Sequence, residues 1–189
     1  MIVFLLCDFH DLISGLTRSS VIAENCETSA TLQPFFTLQL DIQSPDVNNL
    51  QEVLLTNFTS EVLEGYRNPR SGQLADASKT LSLEDLPPVL ILHLKRMVYD
   101  GHTEQKVMKE IEFPVDLVIS RDILSMNCKT KYTSKQRQYK LFAVVYHKGR
   151  EATKGHYVTD IYHTGELMLS LNISNVHCFE YFTIFDCFP

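Results

Sequence analysis

The chain has 189 residues, 44% of them hydrophobic, and a formal net charge of −6. That is enough apolar material for a sizeable core in one domain, while the acidic balance argues against wholesale binding to nucleic acid or to an anionic membrane. The five cysteines (Cys7, Cys26, Cys128, Cys178, Cys187) are scattered and never spaced as CxxC, which argues against a disulfide framework or a zinc site and fits a reducing compartment.

The start, MIVFLLC, is a short hydrophobic run without a basic n-region or a small-residue cleavage pattern, so no signal peptide is expected. No apolar run has the length of a membrane span. Ser14–Ser29 reads as polar and turn-like. Thr31–Gln43 alternates, with Phe36, Leu38, Leu40 and Ile42 on one face, and predicts a half-exposed strand in which Pro34 suits an end or an edge. Ser44-Pro45-Asp46 signals a turn with Asp46 as an N-cap, and Leu50, Val53, Leu54 and Phe58 predict a helix over 47–58. A second helical piece is expected at 60–65, then a polar loop over 67–79.

Leu86-Pro87-Pro88 forces an extended approach to a strand over 89–99, burying Leu90, Leu92 and Leu94 and turning His93 and Lys95 outward. After a turn at Gly101, a strand is expected at 106–113, closed by Pro114. A short helical piece is expected at 122–124, and the basic stretch Lys129–Lys140 reads as a solvated loop. Sequons at Asn57 and Asn172 are read as chance. Tyr139–Gly165 predicts a β-hairpin whose first strand, apolar on both faces, suits burial between two layers. Its second strand follows Gly155-His156. The order of elements predicts an α+β domain with an antiparallel sheet. Glu166–Pro189 has no lysine or arginine and no hairpin signal, and no structure is assigned to it.

His156 is the sharpest chemical candidate. Gly155 removes bulk beside it, Tyr157 can pack below its ring, and an imidazole titrating near neutrality can take a proton from a thiol and return it to a leaving group. A lone histidine is more often structural. The other six (His10, His93, His102, His147, His163, His177) show no metal-ligand spacing with any cysteine.

Four ordered blocks, Leu86-Pro87-Pro88-Val89-Leu90-Ile91-Leu92-His93-Leu94-Lys95-Arg96, Phe113-Pro114-Val115-Asp116-Leu117, Tyr139–His147 and Gly155-His156-Tyr157, together with SATLQPFFTLQLDIQ at Ser29–Gln43, resemble the ubiquitin-specific protease family. The resemblance covers 11–165, leaving 1–10 as an unmatched N-terminal segment and 166–189 as a divergent tail. It implies the palm and fingers of a papain-like cysteine peptidase, without the thumb. The family reaction is hydrolysis of the bond after the C-terminal glycine of ubiquitin. His156 matches the general base. The nucleophile, which the family carries in a Cys box near the start of the domain, matches none of the five cysteines. The orienting Asp or Asn is unassigned: it should follow a Trp in a motif ending Asp-Asp, which this chain lacks, and Asn172 and Asn175 stand at a comparable distance. Lys154 replaces a glycine that the family usually has two places before the histidine. Where many relatives carry zinc-binding cysteine pairs, Tyr66-Arg67-Asn68-Pro69 has none, so the resemblance implies no metal and no cofactor.

The implied partners are ubiquitin or ubiquitinated proteins and a missing thumb half or partner protein, with no nucleic acid and no membrane. The implied location is cytoplasmic or nuclear. The expectation is an inactive isolated chain; the alternative is a non-catalytic ubiquitin- or partner-binding module.

Overall fold

The computed structural model describes residues 9–68, 72–99, 101–151, 154–163, 166–173 and 181–187, apart from 24–27. The architecture is mostly β with few helices. Strands β1 (Gly15–Ala23), β2 (Ser29–Phe35), β4 (Ser60–Leu63) and β5 (Ala77–Asp85) build a four-stranded antiparallel sheet in the order β2-β1-β5-β4. A larger, seven-stranded sheet takes β3 (Leu38–Asp41), β6 (Val89–Lys95), β9 (Asp116–Val118), β10 (Gln138–Glu151), β11 (Lys154–His163), β12 (Glu166–Ile173) and β13 (Tyr181–Cys187). Its order is β12-β11-β10-β13-β6-β3, with β9 also paired to β10. β7 (Met97–Tyr99) and β8 (Glu104–Lys106) form a separate ribbon. Among the described residues no helix is long and apolar enough to cross a membrane.

The predicted strand over 31–43 divides at residues 36–37 into β2 and β3, which enter different sheets. Leu38, Leu40 and Ile42 are buried as their alternation predicts, but Phe36, at the bend, is 49% exposed. Pro34 lies on β2, an edge strand, where its missing N–H leaves no interior ladder broken. β3 runs parallel to β6, with Leu38 opposite Leu92 and Leu40 opposite Leu94.

The predicted helix is α1 (Leu50–Asn57). Its N-cap is Asn49 rather than Asp46: Asn49 Oδ1 accepts from the Glu52 amide at 3.0 Å while Glu52 Oε2 accepts from the amide of the preceding Asn48 at 2.8 Å, close to a capping box. Leu50, Val53, Leu54 and Phe58 are buried in the same core cluster as Leu40, Ile42, Leu90 and Leu92, each contributing roughly 1.5–3 kcal/mol of apolar burial. Asn57 ties the end of this helix to β3, since its amide nitrogen donates to the Asp41 and Val53 carbonyls and its oxygen accepts from the Asp41 amide, each at 2.8 Å.

Several expectations are corrected. Within Ser14–Ser29, the described Gly15–Ala23 is not turn-like: β1 is an inner strand of the four-stranded sheet. Residues 60–65 are not helical; β4 pairs with β5, with Ser60 opposite Thr80. Residues 107–113 do not form a strand, because their backbone is held instead by Arg96, whose guanidinium donates to the Val107 and Lys109 carbonyls, and by a single bridge from Glu112 to Asn49. The strand expected over 89–99 breaks at Arg96. The basic stretch contains the end of α2 (Met126–Lys131), where Lys131 pairs with Asp85 at 2.6 Å, and a 3-10 turn at Lys135–Arg137. The short helical piece near 122–124 is a 3-10 turn at Arg121–Ile123.

The stretch after 165, to which the sequence assigned no structure, supplies β12 and β13. β13 lies in the middle of the large sheet, with Ile184 opposite both Ile91 on β6 and Ala143 on β10. Met1–Leu6 lies outside the described residues.

Candidate functional site

The predicted hairpin is β10 and β11, paired from Ala143 opposite Ile161 to Lys148 opposite His156. Both faces of β10 carry buried residues, Tyr139 and Leu141 on one and Ala143 and His147 on the other, because the register against β13 shifts between Leu141 and Ala143; Phe142, at the shift, is 49% exposed.

Directly opposed residues share a face of an antiparallel pair. His156 therefore lies on the face of Lys148, Tyr146 and Val158, and it is exposed at the hairpin end. The register of β12 places Asn172 opposite Val158, on that same face and one diagonal step from His156. Asn175 and the residue opposite His156 lie outside the described residues.

The reverse face is closed by His147, which pairs with Tyr157 and is buried. Its ring stands 5.1 Å from that of Tyr157, tilted by 45°. Gly155 is the space under this ring: a Cβ there would come within 2.6 Å of His147 Cε1, so only glycine fits between the imidazole and the base candidate. Gly149, at φ 154, faces the same constraint from the Lys154 carbonyl, 2.5 Å from where its Cβ would lie. Lys106, from β8, donates to His147 Nδ1 at 3.2 Å and to the His147 carbonyl at 2.9 Å. Burial first, then Lys106 and His156, hold the His147 imidazole below its ordinary protonation range. Lys154 is exposed two residues before His156, on the same face. Neither His147 nor Lys106 stood out in the sequence.

The described cysteines do not approach this site. Cys128 is buried in α2, and burial, followed by the charges of Asp85 and Glu84, pushes its thiol up to about 11. Cys187, on β13, is opposite Tyr139, which by strand rise is roughly 30 Å along β10 from the partner of His156. Cys7, Cys26 and Cys178 lie outside the described residues. His93, expected to face outward, is instead buried on β6 between β13 and β3, while Lys95 is exposed as expected. Among the described residues no group of three or more His, Cys, Asp or Glu could hold a metal ion.

A mostly β scaffold with few helices, carrying an exposed histidine directly after a closely packed glycine at a hairpin end, has the character of part of a cysteine-peptidase catalytic domain. The family model described as ubiquitin carboxyl-terminal hydrolase matches residues 6–178, and the chain belongs to that family. It is 48% identical over 156 residues to ubiquitin carboxyl-terminal hydrolase 10-A of Xenopus laevis, covering 82% of this chain and 20% of that protein. To ubiquitin hydrolase B of Dictyostelium discoideum it is 38% identical over 151 residues, covering 80% of this chain and 32% of that protein. Among solved structures, the SAGA Ubp8/Sgf11/Sus1/Sgf73 DUB module bound to ubiquitin aldehyde is similar with a TM-score of 0.74 at 27% identity, covering 97% of this chain and 43% of that one. A variant of the same SAGA DUB module, bound to monoubiquitin, gives 0.74 at 27% identity, covering 96% and 42%. The chain thus spans a fifth of the length of the hydrolase 10-A relative and is a partial catalytic domain. The match over 6–178 is wider than the stretch 11–165 that carried the resemblance in the sequence.

Proposed function

We propose that this chain is the palm-and-fingers portion of a ubiquitin-specific protease domain and that His156 is the general base of its thiol-dependent hydrolysis. The single observation that carries this reading is the placement of His156, exposed at the hairpin end of a strand whose reverse face is closed by His147 over Gly155. In the family reaction the imidazole takes the proton of a cysteine thiol, the thiolate attacks the carbonyl carbon of the terminal glycine, and the imidazolium returns the proton to the departing lysine amine. Water then releases the acyl group from sulfur. The Asp or Asn that would orient the far ring nitrogen stays unassigned in this reading; the register puts Asn172 one diagonal step from His156.

The thiol is not one of the described cysteines, so this reading assigns it to a part of the catalytic domain outside the matched stretch. Loss of a nucleophile removes the covalent route almost entirely, and the isolated chain binds ubiquitin without cleaving it. The four-stranded sheet and the central strands serve as fingers and palm, and the fingers are held by packing and cross-strand polar bonds rather than by metal. The domain reading that accompanies this takes 11–165 as the centre of a catalytic portion that the family model extends to 6–178. The place of action is the cytoplasm or the nucleus. The test is calorimetric titration with monoubiquitin beside a fluorogenic ubiquitin substrate. Saturable binding without turnover is expected; turnover by the chain alone, or no binding, contradicts the reading.

A further inference from the structure

We propose that Lys106 is a positioning residue, pinning the β10–β11 hairpin from behind through a neutral His147 so that His156 is presented on the opposite face. The importance of the pin rests on His156 being the base, as proposed above; the pin itself is a feature of the fold.

The geometry is that of a filled ammonium site. A lysine ammonium has three protons and accepts nothing. Lys106 Nζ has three acceptors in reach on β10: His147 Nδ1 at 3.2 Å, the His147 carbonyl at 2.9 Å and the Gly149 carbonyl at 2.5 Å. With an ammonium donating to it, Nδ1 must carry its lone pair, so the imidazole is neutral with its proton on Nε2. Among the described residues, Lys106 from β8 and His156 from β11 act on this ring, and both favour the uncharged form, as does burial. Tyr157 packs against the ring from β11.

The consequence is mechanical. The ring occupies the space over Gly155, immediately before His156. Its own carbonyl and that of Gly149 are tied to the same nitrogen. Lys106 comes from a different ribbon, 41 residues earlier in the chain than His147. One cation therefore fixes three points on β10 across from the strand that carries the base. Arginine does not replace it, because a planar fork cannot aim three protons at acceptors converging on one point.

The test uses the full chain with ring-labelled histidine, observed by nuclear magnetic resonance at about pH 6.5, where an ordinary imidazole is half protonated. His147 is expected to show a bare Nδ1 and a protonated Nε2; a proton on Nδ1, in either the neutral or the charged ring, overturns the proposal. In Lys106→Met, with the amides of the four-stranded sheet unchanged as proof of folding, His147 is expected to lose its single tautomer and the His156 ring signals to shift. Wild-type signals for both residues would overturn the proposal. Should K106M fail to fold, the tautomer in the unmodified chain decides. Neither readout involves ubiquitin, so a failure to bind ubiquitin would count against the proposed function and leave the pin standing.

Discussion

Gly155 lies against the imidazole of His147, leaving no room for a side chain between that ring and the strand that carries His156. Gly155→Ala is expected to lower stability by roughly 1–3 kcal/mol through overpacking, read as a fall in the urea midpoint. His147→Ala in the same chain removes the ring but leaves the Lys148 carbonyl in contact, so the double variant should lose less than the sum of the two single changes without recovering fully. Additive losses would show that the two positions do not meet.

The buried His93 makes stability depend on pH above the carboxylate range. Burial, then Lys95, pushes its protonation down to about 4 from an ordinary 6.5. The unfolded chain therefore binds the extra proton first, and stability falls as the pH drops from about 6.5 to about 4. Urea midpoints measured across that window should decline in the wild type and flatten in His93→Gln. An equal slope in both would contradict the assignment.

A second acid limb belongs to Glu84. Its carboxylate accepts two bonds from Arg18, at 2.8 and 3.0 Å, and one from Asn127 at 3.0 Å. Arg18 is the largest cause of a protonation value lowered from 4.5 to about 2. The folded form is depressed below the unfolded one, so this contribution is present above about 4.5 and lost as the pH falls through about 2. Glu84→Gln is expected to cost about 1–2 kcal/mol at neutral pH, allowing for partial solvation of the pair, and to remove the limb from the acid unfolding curve.

Cys128 should behave as a small apolar residue. Its raised protonation value and burial keep thiolate scarce. Iodoacetamide at about pH 8, near the ordinary thiol value, followed by peptide mass analysis, is expected to modify Cys128 only after denaturant is added. Rapid labelling in the folded chain would contradict its placement.

The apolar alternations were legible in the sequence because a half-buried strand writes its buried face at every second residue. Leu38, Leu40 and Ile42, and then Leu90, Leu92 and Leu94, are buried where the pattern placed them. The α1 face was legible for the same reason at helical spacing. β1 and β5 were not, since the pairing of these inner strands is supported by polar contacts such as Arg18–Glu84, Thr17 to the Gln33 carbonyl and Ser82 to the Arg18 carbonyl, and such residues read as loop. Nor could the sequence show that β13 inserts between β10 and β6, a pairing of distant segments with no local signature. Of the site, Gly155-His156 was legible as a motif. The partner face was not, because Lys106 and His147 come together only through the tertiary fold.

The central claim is a histidine base presented to ubiquitin by a chain whose described thiols lie elsewhere. The direct measurement adds ubiquitin carrying a thiol-reactive C-terminal electrophile while the Gly155, His156 and Tyr157 resonances are followed. Saturable shifts at these three residues with no covalent adduct are expected; an adduct on any cysteine of this chain, or a hairpin that ignores ubiquitin, would contradict the account.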